Sequence, residues 1–157
     1  MESNPKKGRF TFRASAVLFV LSAAFELLSL TAEVPLFGEI RGGVSVGIYH
    51  VVYAALFLAL GIGLWSGKHW GYPLVLVATA LYTLDKLQLL LSQQALSAFV
   101  KAQLGGFERE LQAQGITEEL ILQAIVLMSI VVILCWWGFA LYTYWRRDYF
   151  DKAALSL

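Results

Sequence analysis

An all-α integral membrane protein, a bundle of four transmembrane helices, is the fold class this chain predicts, and three observations point to it. Of 157 residues, 59% are hydrophobic and only 15% charged, where soluble domains carry about 25% charged residues. The mean hydropathy is +0.67. Four apolar runs each approach the roughly 20 residues needed to cross a bilayer core, and the basic and aromatic residues collect beside the ends of those runs.

The first run, about residues 14–32, follows the basic group Lys6, Lys7, Arg9 and Arg13. Its apolar core before Glu26 is short and Ser22-Ala23-Ala24 is only a passable cleavage site, so it reads as an uncleaved helix rather than a signal peptide. The second run covers about 44–65, the third about 70–92 and the fourth about 120–144. Between the first and second, Glu33 to Gly43 holds Pro35, Gly38 and Gly42 and reads as a short loop. Residues 93–118 form a longer, partly helical segment in which Phe107 and Leu111 lie one turn apart, while Glu108, Arg109 and Glu110 point elsewhere. Gly105-Gly106 and Gly115 divide it, and Thr117 followed by Glu118 and Glu119 fits the capped start of the fourth span. Gly43 and Gly47, with Gly61 and Gly63 beyond them, suit loose helix packing more than a specific dimer seam. The whole chain reads as one membrane domain.

Lys6, Lys7, Arg9, Arg13, Lys68, Arg146, Arg147 and Lys152 fall on one side of the spans, against Arg41, Lys101 and Arg109 on the other. The positive-inside rule then puts both termini in the cytoplasm, with a bacterial-type plasma (inner) membrane as the expected location. Trp65, Trp70, Tyr72, Tyr142, Tyr144 and Trp145 would form the inner aromatic belt.

Glu26, His50, Asp85 and Lys86 interrupt these runs at nearly one depth, about six or seven residues from the outer helix ends and so about 9 Å inside. A charge at the centre of a span costs about 2.5 to 3.5 kcal/mol on insertion scales, which makes such residues candidates for an ion or proton site. Ser22, Glu26, Ser29 and Glu33 share one stripe of the first helix. Asp85 and Lys86 project about 100° apart as sequence neighbours, so the expected pairs are Glu26 with Lys86 and His50 with Asp85. Tyr49, Tyr53, Tyr82, Gln88 and Gln123 could add hydrogen bonds. An alternative has the third helix leave the hydrocarbon near Asp85, with Lys86 snorkelling to the interface.

The chemistry is narrowed by what is missing. There is no HxxxH or CxxC spacing for a metal, no G-x-S-x-G or P-loop, and Cys135 is the single cysteine. His50 and His69 lie near opposite faces, which argues against a shared haem, so no metal and no cofactor is expected. With a formal net charge of +1 and no basic stripe, nucleic acid is not an expected partner. The expected partners are the lipid bilayer and further copies of the chain, or a larger membrane complex, because four helices enclose little volume. Translocation of protons, cations or a small solute by an oligomer leads. An accessory or scaffold subunit is the alternative, and a membrane-embedded enzyme on a lipid-like substrate is third.

Overall fold

The computed structural model describes residues 8–36, 39–105 and 107–151. Lys6, Lys7, Lys152, Gly38 and Gly106, and the side chains of Glu108 and Arg109, lie outside the described residues. The protein is an all-α integral membrane protein with four helices long and apolar enough to span: α1 Arg9–Leu28, α2 Val44–Ser66, α3 Gly71–Leu91 and α6 Glu118–Trp145. Between them lie the strands β1 Val34–Leu36 and β2 Glu39–Arg41 and the short helices α4 Gln93–Leu104 and α5 Glu108–Ala113; α7 Asp148–Asp151 follows α6.

The first span begins and ends about four or five residues earlier than the expected 14–32. Phe12 is fully buried and draws the basic-flanked segment into the helix. At the other end the Ser29 amide donates to the Phe25 and Glu26 carbonyls at 3.0 and 3.2 Å, a tightened last turn that stops propagation. The remaining spans fall within about two residues of expectation. Thr117 caps α6 as expected, its hydroxyl accepting from the Leu120 amide at 3.3 Å. Pro73 sits in the first turn of α3, where its missing N–H leaves no bond unmade.

One segment differs from its sequence reading: the expected loop between α1 and α2 contains an antiparallel hairpin with Val34 opposite Arg41 and Leu36 opposite Glu39. The segment after α3 is partly helical as expected, and it is packed: Ala95, Leu96 and Val100 of α4 are buried, and α4 packs on α3, α6 and both strands. Ser92 turns the chain between α3 and α4 and caps α4 by accepting from the Ala95 amide. Ser97 donates to Glu118 at 2.9 Å and joins α4 to α6. Phe107, by contrast, is 63% exposed and covers nothing.

Helix α1 lies chiefly along α2, and α3 along α6. Gly61 and Ala16 let α1 and α2 approach closely, since a methyl group on Gly61 would lie 2.8 Å from Val20 Cγ2. The helix ends nearer the termini close on an aromatic core. Phe12 meets Tyr149, Phe150 and Tyr142 at centroid distances of 4.7, 5.2 and 5.5 Å, and Phe19 packs on Phe57, Trp136 and Phe139. Tyr142, expected in the interfacial belt, belongs to this core, whereas Trp65 and Trp145 are exposed. Helix α6 is apolar around its circumference and exposes Leu127, Met128, Ile130, Val131 and Leu134, the pattern of a lipid-facing helix.

Candidate intramembrane ionisable site

Glu26 occupies the last turn of α1, two residues from its end, so it is shallower in its helix than the expected six residues. His50 is six residues into α2, and Asp85 six residues before the end of α3. All belong to the third of the bundle next to the hairpin, where α1 and α2 cross on one side and α3 approaches from another.

The expected pairing is exchanged. His50 Nδ1 meets Glu26 Oε2 at 2.6 Å, and Lys86 Nζ meets Asp85 Oδ2 at 3.0 Å. The 100° offset between Asp85 and Lys86 constrains their Cβ atoms, but a four-carbon lysine stem folds back across that angle. Gln88, one turn further along, donates to Asp85 Oδ1 at 3.1 Å. Asp85 is thus engaged by Lys86 and Gln88 of its own helix and by the Tyr49 hydroxyl of α2, while His50 pairs with Glu26.

His50 is 5% exposed, and its Nε2 is buried without a hydrogen-bond partner. An ionised carboxylate only accepts, so Nδ1 donates to Glu26 and a neutral His50 keeps its lone pair on Nε2. Nε2 is thus left as an acceptor without a partner among the described residues. Around them Tyr49 lies tilted against Tyr53 at 4.6 Å and edge-on at 5.4 Å to His50. The carboxyl groups of Asp85 and Glu26 are both neighbours of these two phenols. Lys86 lies 5.3 Å over the Tyr82 ring, which stacks on Trp136. Trp137, a residue the sequence did not single out, donates to Thr83 at 3.1 Å and ties α6 to α3 just beside Tyr82; an exposed tryptophan next to a threonine register carries no sequence signal of its own.

Other expected members lie apart. Ser29 caps α1 through its backbone, and Glu33 is exposed at the base of the hairpin near Gly42. Ser22 is half-buried one turn before Glu26. Gln123 faces a groove between α4 and α6 shared with Gln93 and Gln94. Among the described residues no three of His, Cys, Asp and Glu come together as a metal-ligand set.

Residues 41–100 match the model of a family described as a predicted membrane protein, DUF2127. The matched stretch holds His50, Tyr49, Tyr53, Tyr82, Asp85, Lys86 and Gln88, and stops short of Glu26 on α1. No curated protein and no solved structure matches the chain.

Proposed function

We propose that this membrane protein moves protons, or a cation or small solute coupled to them, with the Glu26–His50 pair as the group that binds and releases the proton. The observation that carries this reading is the 2.6 Å contact between a carboxylate and an imidazole at a buried position of a membrane bundle. An intramembrane ionisable pair is costly to keep, and a histidine beside an acid is the side-chain combination best suited to exchange protons near neutral pH. Glu26 holds the ring and its charge balances the imidazolium, while Nε2 exchanges the proton. Asp85, Lys86 and Gln88 form a neutral cluster that keeps the neighbourhood polar without competing for His50.

Beyond Tyr53 the bundle axis is filled by Phe57, Phe19, Trp136 and Phe139. Thr79, Thr83 and Thr143 give their hydroxyls to carbonyls of their own helices. A route through the second half of the membrane therefore belongs between copies of the chain, and the reading requires an oligomer. The same aromatic filling favours a second reading, an accessory subunit whose polar pairs fix helix register against a partner. If charge bias orients the chain, both termini are cytoplasmic and the pair opens toward the opposite side.

Proton flux into liposomes holding the purified protein distinguishes the two. Translocation predicts a pH-dependent flux in wild type that falls at least tenfold in Glu26→Gln and in His50→Leu. Folded wild-type protein that conducts no protons or cations, singly or as a cross-linked oligomer, removes the transport reading in favour of the accessory one.

A further inference from the structure

At the opposite end of the bundle, on the lipid-facing side, a groove runs between α1 and α2. It has a volume of about 410 Å³ and is lined almost wholly by apolar groups, among them Ala16, Val20, Leu21, Gly61, Ile62 and Trp65. Its floor is low because Ala16 and Gly61 carry almost no side chain there. Toward the start of α1 it continues, through the shared residues Val17 and Trp65, into a second hollow of about 580 Å³ bounded by Arg9, Phe10 and Arg13. The Arg13 guanidinium is held over the Trp65 ring, 5.1 Å from its centroid, and its Nε is buried with no hydrogen-bond partner. Among the described residues no carboxylate pairs with Arg9 or Arg13.

We propose that this continuous hollow is a binding site for one anionic phospholipid, with its phosphate on Arg9 and Arg13 and an acyl chain in the groove over Ala16 and Gly61. In a bilayer every apolar groove is filled by some lipid tail, and tails are as apolar as the side chains they touch, so the groove alone selects nothing. Selection comes from the mouth. Two arginines at the start of α1, without a carboxylate partner among the described residues, form a positive site, and the Arg13 guanidinium braced on an indole ring keeps its donors oriented toward a phosphate. The site involves neither Glu26 nor His50, and stands whether or not the protein conducts protons.

The test is lipid retention by full-length protein in mild detergent, offered phosphatidylglycerol and phosphatidylcholine of identical chains in equal amounts and counted by native mass spectrometry. Wild type should retain phosphatidylglycerol about 25-fold over phosphatidylcholine, and Arg9→Gln and Arg13→Gln should each remove about fivefold of that preference. Val17→Trp, which places a ring in the groove, should lower retention of both lipids. Should Arg13→Gln fail to fold, wild type at 1 M salt gives the same reading, because screening reduces the range of the arginine charges to about 3 Å. Equal retention of the two lipids by wild type overturns the proposal. So does a preference that survives Arg9→Gln and high salt, and a phosphatidylglycerol count unchanged by Val17→Trp overturns the groove as the seat of the chain.

Discussion

At the scale of single residues, the Glu26–His50 contact joins two groups that are each expensive alone. His50 is almost completely buried, and its Nδ1 has Glu26 as its hydrogen-bond partner. Replacing Glu26 by Leu leaves a buried imidazole with neither nitrogen paired, a loss on the order of 1 to 3 kcal/mol. Replacing both residues by Leu removes the donor together with the acceptor. We therefore expect Glu26→Leu to lower the unfolding free energy in mixed micelles by more than Glu26→Leu/His50→Leu does, although the double variant has lost more polar groups. A double variant less stable than either single one would show that the pair does not act as a unit. That these residues are exceptional was legible from the sequence, because a charge inside an apolar run stands out at any register, whereas the place of Glu26 in its helix was not, since α1 ends two residues beyond it. Their partners were not. Which carboxylate meets His50 depends on the crossing of α1 and α2 and on a lysine stem folding back within α3, and neither leaves a trace in spacing.

At the scale of elements, hydrophobic run length placed α2, α3 and α6 closely, since the bilayer sets it directly. It misplaced α1 because the pull on that helix is tertiary: Phe12, near the basic flank, is buried among Tyr142, Tyr149 and Phe150. The hairpin was missed for a related reason, as strands of three residues are too short to show alternation and gain their support from α4. Glycines in α2 were read as loose packing, and at Gly61 the contact with α1 is tight instead. At Gly61 an added Cβ would stand 2.8 Å from Val20 Cγ2 and 3.2 Å from the Ala16 carbonyl oxygen. The backbone of α1 cannot give way as a flexible side chain would. Gly61→Ala should push α1 from α2 and cost about 1 to 3 kcal/mol, the range for overpacking a filled contact, whereas Gly43→Ala has nothing within 4 Å to meet and is limited to the strain of its positive φ. Unfolding midpoints of the two variants, measured side by side, check the contrast; a Gly61→Ala protein as stable as wild type would mean the α1/α2 crossing is loose.

For the whole molecule, the bundle is closed at one end by α4 over the hairpin and at the other by α7, and the second closure carries a pH dependence. The chain reverses after α6 so that Phe150 is buried and the Tyr149 hydroxyl donates to the Leu64 carbonyl at 3.0 Å, which satisfies a backbone acceptor in the last turn of α2. Gly67, in the left-handed conformation that ends α2, lies 3.3 Å below the Tyr149 ring measured from where its Cβ would be. Burial pushes the Tyr149 hydroxyl above the usual phenol range, with the nearby Arg13 and Arg9 opposing that shift. The folded protein therefore holds this proton more tightly than the unfolded chain, whose tyrosines titrate near 10. The stability linked to it is fully present below about pH 10 and is lost as pH rises through the higher folded value. Above that point the phenolate can no longer donate to Leu64. We expect wild type to lose stability as pH rises above about 10, a loss that Tyr149→Phe lacks, while at pH 7 the phenylalanine variant is weaker by about 1 kcal/mol for the missing hydrogen bond. Denaturant midpoints for both proteins from pH 7 to 11 decide the matter. Parallel curves would assign the alkaline loss to the other tyrosines and leave α7 as packing alone, whereas curves that converge at high pH would make the Tyr149 proton the latch on this end of the bundle.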